Sequence, residues 1–292
     1  VLPFWISIVL LSLAQGALVA LPGALTGVLP ARLRSRRWAV IPPLSVIAFV
    51  FGARAAEQAS AQGLTYLALV AVPLLAALAL GWLVYNARAP RLPRVLLVVP
   101  LFALAWADRS GLPGEGAAVL LSALSCAALG VLIATVTPPR WLAAGIVAMA
   151  VADTALVVSD LLQRPNNALN AARPAAGLPT LQDAVFGSAV IGYGDLFIAG
   201  ALGGLLAANL GRRSQLHAAL LTTAFALAFD LLFFFVDELP ATVPVALALL
   251  ATVFTRRVRF ARGAGTRTPP ASGAARAPAD PQQHPPRAPA SS

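Results

Sequence analysis

Four aspartates fall inside long apolar runs: Asp153 and Asp160 in "AVADTALVVSD", Asp195 in "VIGYGDLFIAGALGG" and Asp230 in "AFALAFDLLFFF". The other acids, Glu57, Asp108, Glu115, Asp183, Asp237, Glu238 and Asp280, fall in connecting stretches or at the ends of runs. No arginine lies in the interior of an apolar run, so an ion pair to a neighbouring base is not available to the four. Each must be protonated, hydrogen-bonded or in contact with water. Two such carboxyl groups brought together share one proton. The ionised member can then take a proton from water attacking a peptide carbonyl while the protonated member donates to the carbonyl oxygen, and the roles exchange. That chemistry needs no metal and no cofactor. His217, His284 and Cys126 are too scattered to suggest a zinc site.

The elements that must position these acids are apolar helices. The chain has 292 residues, 59% of them hydrophobic and 11% charged, with a mean hydropathy of +0.81. Such values lie far from those of an ordinary soluble domain and imply an all-α, polytopic membrane protein. A hydrocarbon core of about 30 Å takes roughly 20 apolar residues per helix. Runs that approach this length fall at 2–22, 38–54, 64–86, 94–108, 116–137, 141–162, 184–209, 215–236 and 240–255. This predicts about nine transmembrane helices, with eight as the alternative because the second and fourth are short. The opening Val-Leu-Pro-Phe-Trp has no basic flank, so 2–22 is expected to be a span and not a cleaved signal peptide. The lone cysteine, Cys126, lies within an apolar run and is expected to pack in the core.

All 21 basic residues are arginine, and the net charge is +10. The arginines form short clusters between runs, not one basic face, which argues against nucleic acid as a partner and for topology signals. Loops after the odd-numbered spans carry fourteen of them and loops after the even-numbered spans four. The N-terminus is therefore expected outside and the C-terminus in the cytoplasm. The all-arginine, Ala- and Pro-rich composition suggests a GC-rich genome and a bacterial plasma membrane. Residues 1–258 are read as the transmembrane domain, with a candidate catalytic half at about 141–255. The Pro-, Ala- and Ser-rich segment 259–292 is read as a disordered cytoplasmic tail.

At 1.5 Å per residue from the expected cytoplasmic ends near Trp141 and Leu210, Asp153 lies about 18 Å deep, Asp195 about 22 Å and Asp160 about 28 Å. Asp153 is thus the better match for Asp195, with Asp160 still open. Gly192 and Gly194 remove side chains beside Asp195 and permit close backbone approach. Gly200 and Gly204 form a small-xxx-small pair, and Ala144, Ala148 and Ala152 repeat that spacing on the preceding span, so a close contact between these two helices is expected.

"GYGD" at 192–195 resembles the GxGD motif of the presenilin and signal peptide peptidase family of intramembrane aspartyl proteases. "AVADTALVV" around Asp153 is similar to that family's first aspartate motif, with Ala152 where the family has tyrosine. "ELPATVPVALAL" is similar to its Pro-Ala-Leu motif, with Pro240 and Ala241 matching and Thr242 in place of leucine. The three occur in the family's order over roughly 141–255, while the earlier spans agree only in number and hydropathy. The resemblance implies a presenilin-like bundle, an Asp153 and Asp195 catalytic pair, and a substrate path shaped by Gly192, Tyr193, Gly194, Pro240 and Ala241. Substrates would be membrane-spanning peptides or proteins, such as remnant signal peptides, and the expected topology resembles the signal peptide peptidase branch. Pro240 also has a local reading as a helix initiator.

Other readings stay open at this level. The prepilin peptidases share a GxGD motif, but theirs continues with lysine, whereas Asp195 is followed by Leu-Phe-Ile. A proton-coupled transporter or channel could relay protons through Asp153, Asp195 and Asp230. A protease-like fold without activity could serve as a binding protein.

Overall fold

The computed structural model describes residues 2–24, 35–41, 43–44, 48, 57–83, 92–161, 167–168, 171–172, 174, 177–236 and 238–265. Among the described residues, eight main helices carry the fold: α1 (Phe4–Ala20), α2 (Glu57–Leu78), α3 (Val98–Ala107), α4 (Leu112–Val136), α5 (Pro139–Val158), α6 (Tyr193–Asn209), α7 (Arg212–Asp230) and α8 (Val243–Gly265). A 3-10 helix, Arg36–Val40, precedes α2, a π turn, Ala79–Leu83, extends α2, and a second 3-10 turn, Leu231–Phe234, extends α7. The expected all-α architecture therefore holds, with one exception: an antiparallel hairpin of β1 (Asp183–Phe186) and β2 (Ala189–Gly192) stands before α6.

By length and composition, four helical stretches among the described residues can cross a membrane: Ala61–Gly81, Leu112–Val136, Pro139–Val158 and Arg212–Phe234. Shorter apolar helices occupy Phe4–Ala20, Pro93–Ala107 and Val243–Phe254. The expected span at 38–54 lies mostly outside the described residues. The helix starts follow local chemistry. Proline stands in the first turn of both α4 and α5, where its missing N–H costs nothing. Gly211, at φ 79°, turns the chain from α6 into α7 in a conformation that a side chain would resist.

The centre of the fold is α4, whose apolar window is 72% buried against 22–33% for the other three long stretches. It packs on α6, α2 and α3, while α1 packs on α7 and α6. A close backbone approach joins α4 to α6. A Cβ on Gly130 would strike the backbone of Gly200, one on Gly200 would strike the carbonyl of Cys126, and one on Gly204 would strike that of Gly130. Gly200 and Gly204 are thus packing glycines as expected, but their partner is α4 and not the helix of Asp153. Ala144 and Ala148 are exposed and take no part in that contact. Cys126 is fully buried in this seam.

Outward faces are as apolar as inward ones. Leu67, Val70 and Leu74 on α2 and Leu220 on α7 are all more than half exposed. Water penalises such faces and hydrocarbon accepts them. The chain divides into a compact unit, Val1–Phe254, and the remainder, Thr255–Ser292. The last helix continues to Gly265, so the boundary expected at 258 falls inside a helix, and residues 266–292 lie outside those described.

Candidate active site

The expectation of one continuous span over 184–209 is corrected by the hairpin. Val185, Val190 and Ile191 are β-branched, and the two strands are separated by two residues, Gly187 and Ser188. Gly187, at φ 62°, supplies the left-handed first position of the turn. The turn is anchored from outside: Glu115 Oε2 on α4 accepts from the Gly187 N–H at 2.6 Å, and Ser7 Oγ on α1 accepts from the Ser188 N–H at 3.2 Å.

Asp195 therefore lies not mid-helix but in the first turn of α6, three residues after the N-cap, Gly192. From there its carboxyl group folds back toward Gly192. The first glycine of "GYGD" has a steric reason. A Cβ at Gly192 would lie 3.0 Å from Asp195 Oδ2. The second has a spatial one, since a Cβ at Gly194 would meet nothing within 4 Å. Tyr193 is held through its hydroxyl, 2.7 Å from Ser125 Oγ on α4.

Asp153 projects from α5 on the face that buries Leu142, Ile146, Met149 and Ala150, spaced to share one side of the helix. Its carboxylate meets the start of α8. Thr242 Oγ1 donates to Asp153 Oδ2 at 2.7 Å, and the Thr242 N–H approaches the same oxygen at 3.4 Å. Asp195 thus sits in the first turn of α6, and Asp153, carried near the end of α5, turns its carboxylate to the start of α8, where free N–H groups and the helix dipole favour negative charge. Asp160 is different: it is exposed and takes φ 55° just past the end of α5, where the Leu161 N–H returns to the Leu156 carbonyl at 3.0 Å. That is a Schellman ending, so Asp160 closes the helix and is not the partner of Asp195.

Asp153 and Asp195 line one cavity of about 1130 Å³ and lie within direct electrostatic reach of each other. Gly192, Tyr193, Gly194 and Ala241 line it too, as does Asp230, whose Oδ2 accepts from Ser12 Oγ at 2.7 Å. Among the described residues that line it there is no arginine or histidine. Pro240 is buried beside the cavity and does not line it, so its part is in the turn: its carbonyl accepts from the Val243 N–H at 3.1 Å. Gln15 on α1 steadies the same turn, donating to the Ala241 carbonyl at 2.8 Å.

Two contributors escaped the reading of the sequence. Asp183 pairs across the hairpin with Gly192 and acts electrostatically on Asp195. Thr242, noted only as a departure from a motif, touches Asp153 directly. Comparison of the chain with family models, curated proteins and solved structures gives no match.

Proposed function

We propose that this chain is an intramembrane aspartyl protease of about nine spans, N-terminus outside, in which Asp153 and Asp195 activate water to hydrolyse a peptide bond of a membrane-spanning segment. The observation that carries this reading is that two carboxyl groups from different helices line one cavity within electrostatic reach of each other, with no base among the described residues lining it. The ionised carboxylate takes a proton from water as the oxygen attacks the scissile carbonyl. The neutral carboxyl gives its proton to the carbonyl oxygen, and the tetrahedral species collapses with proton return to the leaving nitrogen. A helical substrate must unwind before its carbonyl can be attacked. Ser188 to Gly192 line the cavity along β2, and a strand in that position can offer main-chain hydrogen bonds to an extended segment. The open space at Gly194 leaves room for that segment close to Asp195.

The test is cleavage of a single-span reporter by purified protein in liposomes. Asp153→Ala and Asp195→Ala are each expected to abolish cleavage, and Asp160→Ala to leave it within about twofold, as for surface positions remote from the chemistry. Retained cleavage in either of the first two variants ends this reading. A second reading, proton-coupled transport, draws on a single observation, that Asp230 lines the same cavity. Proton flux into liposomes without reporter cleavage would favour it.

A further inference from the structure

The position that departs from the Pro-Ala-Leu pattern is the one that reaches the candidate dyad. Thr242 is wholly buried, and its hydroxyl lies 2.7 Å from Asp153 Oδ2. It immediately precedes α8, where a threonine ordinarily turns its hydroxyl oxygen back on the N–H groups of its own helix. Here the hydroxyl donates across 89 positions of sequence to another helix. Leucine could make no such bond. Among the described residues, both donors to Asp153 converge on Oδ2 and none reaches Oδ1.

We propose that Thr242 is a positioning residue for the dyad. Its hydroxyl and N–H fix Oδ2 as a pure acceptor, set the rotation of the carboxylate, and leave Oδ1 to work with water and with Asp195. The inference rests on the protease reading of this site. Ala152, which stands where the resembling family has tyrosine beside its first aspartate, brings no polar group to Asp153. Thr242 therefore supplies side-chain orientation that the neighbouring position lacks.

Steady-state cleavage of the reporter by Thr242→Val and Thr242→Ser, beside the parent and Asp153→Ala, tests this. Valine keeps the volume and removes the O–H. It is expected to lower kcat about ten- to a hundredfold, the scale of a slightly misplaced reacting group. KM should stay within about twofold, because Thr242 does not line the cavity. Serine restores the donor and should recover most of the loss. Parent-like kcat in Thr242→Val, or equal loss in serine and valine, overturns the proposal while the inactivity of Asp153→Ala still stands. Should the valine variant not fold, Thr242→Ala against Thr242→Ser gives the same comparison, read the same way. Cleavage by Asp153→Ala overturns the protease reading itself, and this inference with it.

Discussion

At the scale of single residues, the two glycines of "GYGD" do different work, and the difference can be measured. Gly192 has φ −64° and ψ 145°, which any residue can adopt, so backbone freedom is not what it provides. What it provides is room for the Asp195 carboxyl group, since a Cβ would stand 3.0 Å from Oδ2. Gly192→Ala should therefore push that carboxyl group out of place and lower kcat about tenfold or more, with the fold intact. Gly194→Ala meets open space and should affect KM before kcat, because the added methyl intrudes on the cavity and not on the acid. Reporter kinetics on the two variants check this, and the opposite pattern would mean that the glycines have been given each other's roles. The acids themselves were legible in the sequence, because an aspartate in an apolar run demands an explanation. Their partners were not, because a backbone N–H carries no letter, and Thr242 differs from a core residue only by one hydroxyl.

At the scale of elements, most helices could be read from apolar length alone, and α4, α5 and α7 fall close to the runs that announced them. The segment before Asp195 could not. From 184 to 194 it is wholly uncharged, and a short apolar run is equally good strand or helix by periodicity. The overlooked signal was Gly187-Ser188 between two β-branched stretches, which is hairpin punctuation. The two alternatives predict opposite signs for one substitution. In a helix, Gly187→Ala would stabilise by about 1 kcal/mol. In the hairpin, at φ 62°, it should destabilise by about 1–2 kcal/mol, and its Cβ would also crowd Ser7 Oγ and Leu2. Thermal unfolding in detergent reads the sign directly. The pairing of the small-residue motifs failed for a related reason: spacing identifies a helix face able to come close to another, but not which neighbour accepts it. Gly200 and Gly204 met Cys126 and Gly130 on α4, whereas the alanine stripe of α5 stayed outside.

At the scale of the whole molecule, the fold separates its charges. The arginines that give the chain its +10 fall between the apolar runs or after the last of them, while the described residues lining the cavity include Asp153, Asp183, Asp195, Asp230 and Glu238 and no base. Such a cavity is tolerable only if water enters it, and the proposed hydrolysis would need that water as a reactant. Lipid, by contrast, should cover the outer flank of the same helices. These two solvents make a prediction on α2 that geometric exposure alone would invert. Leu74 is 66% exposed but does not line the cavity, while Ala71 is partly covered and does. Because the single cysteine, Cys126, is wholly buried, the parent should give little background with thiol reagents. In intact membranes, a charged maleimide should therefore label Ala71→Cys and leave Leu74→Cys unmodified until the protein is denatured, since a thiol in hydrocarbon is neither ionised nor reached by the reagent. A water-bathed helix would give the reverse order, with the barer position labelled first. That result would remove the bilayer from the account, and with it the reason for gathering acids around one cavity inside an apolar bundle.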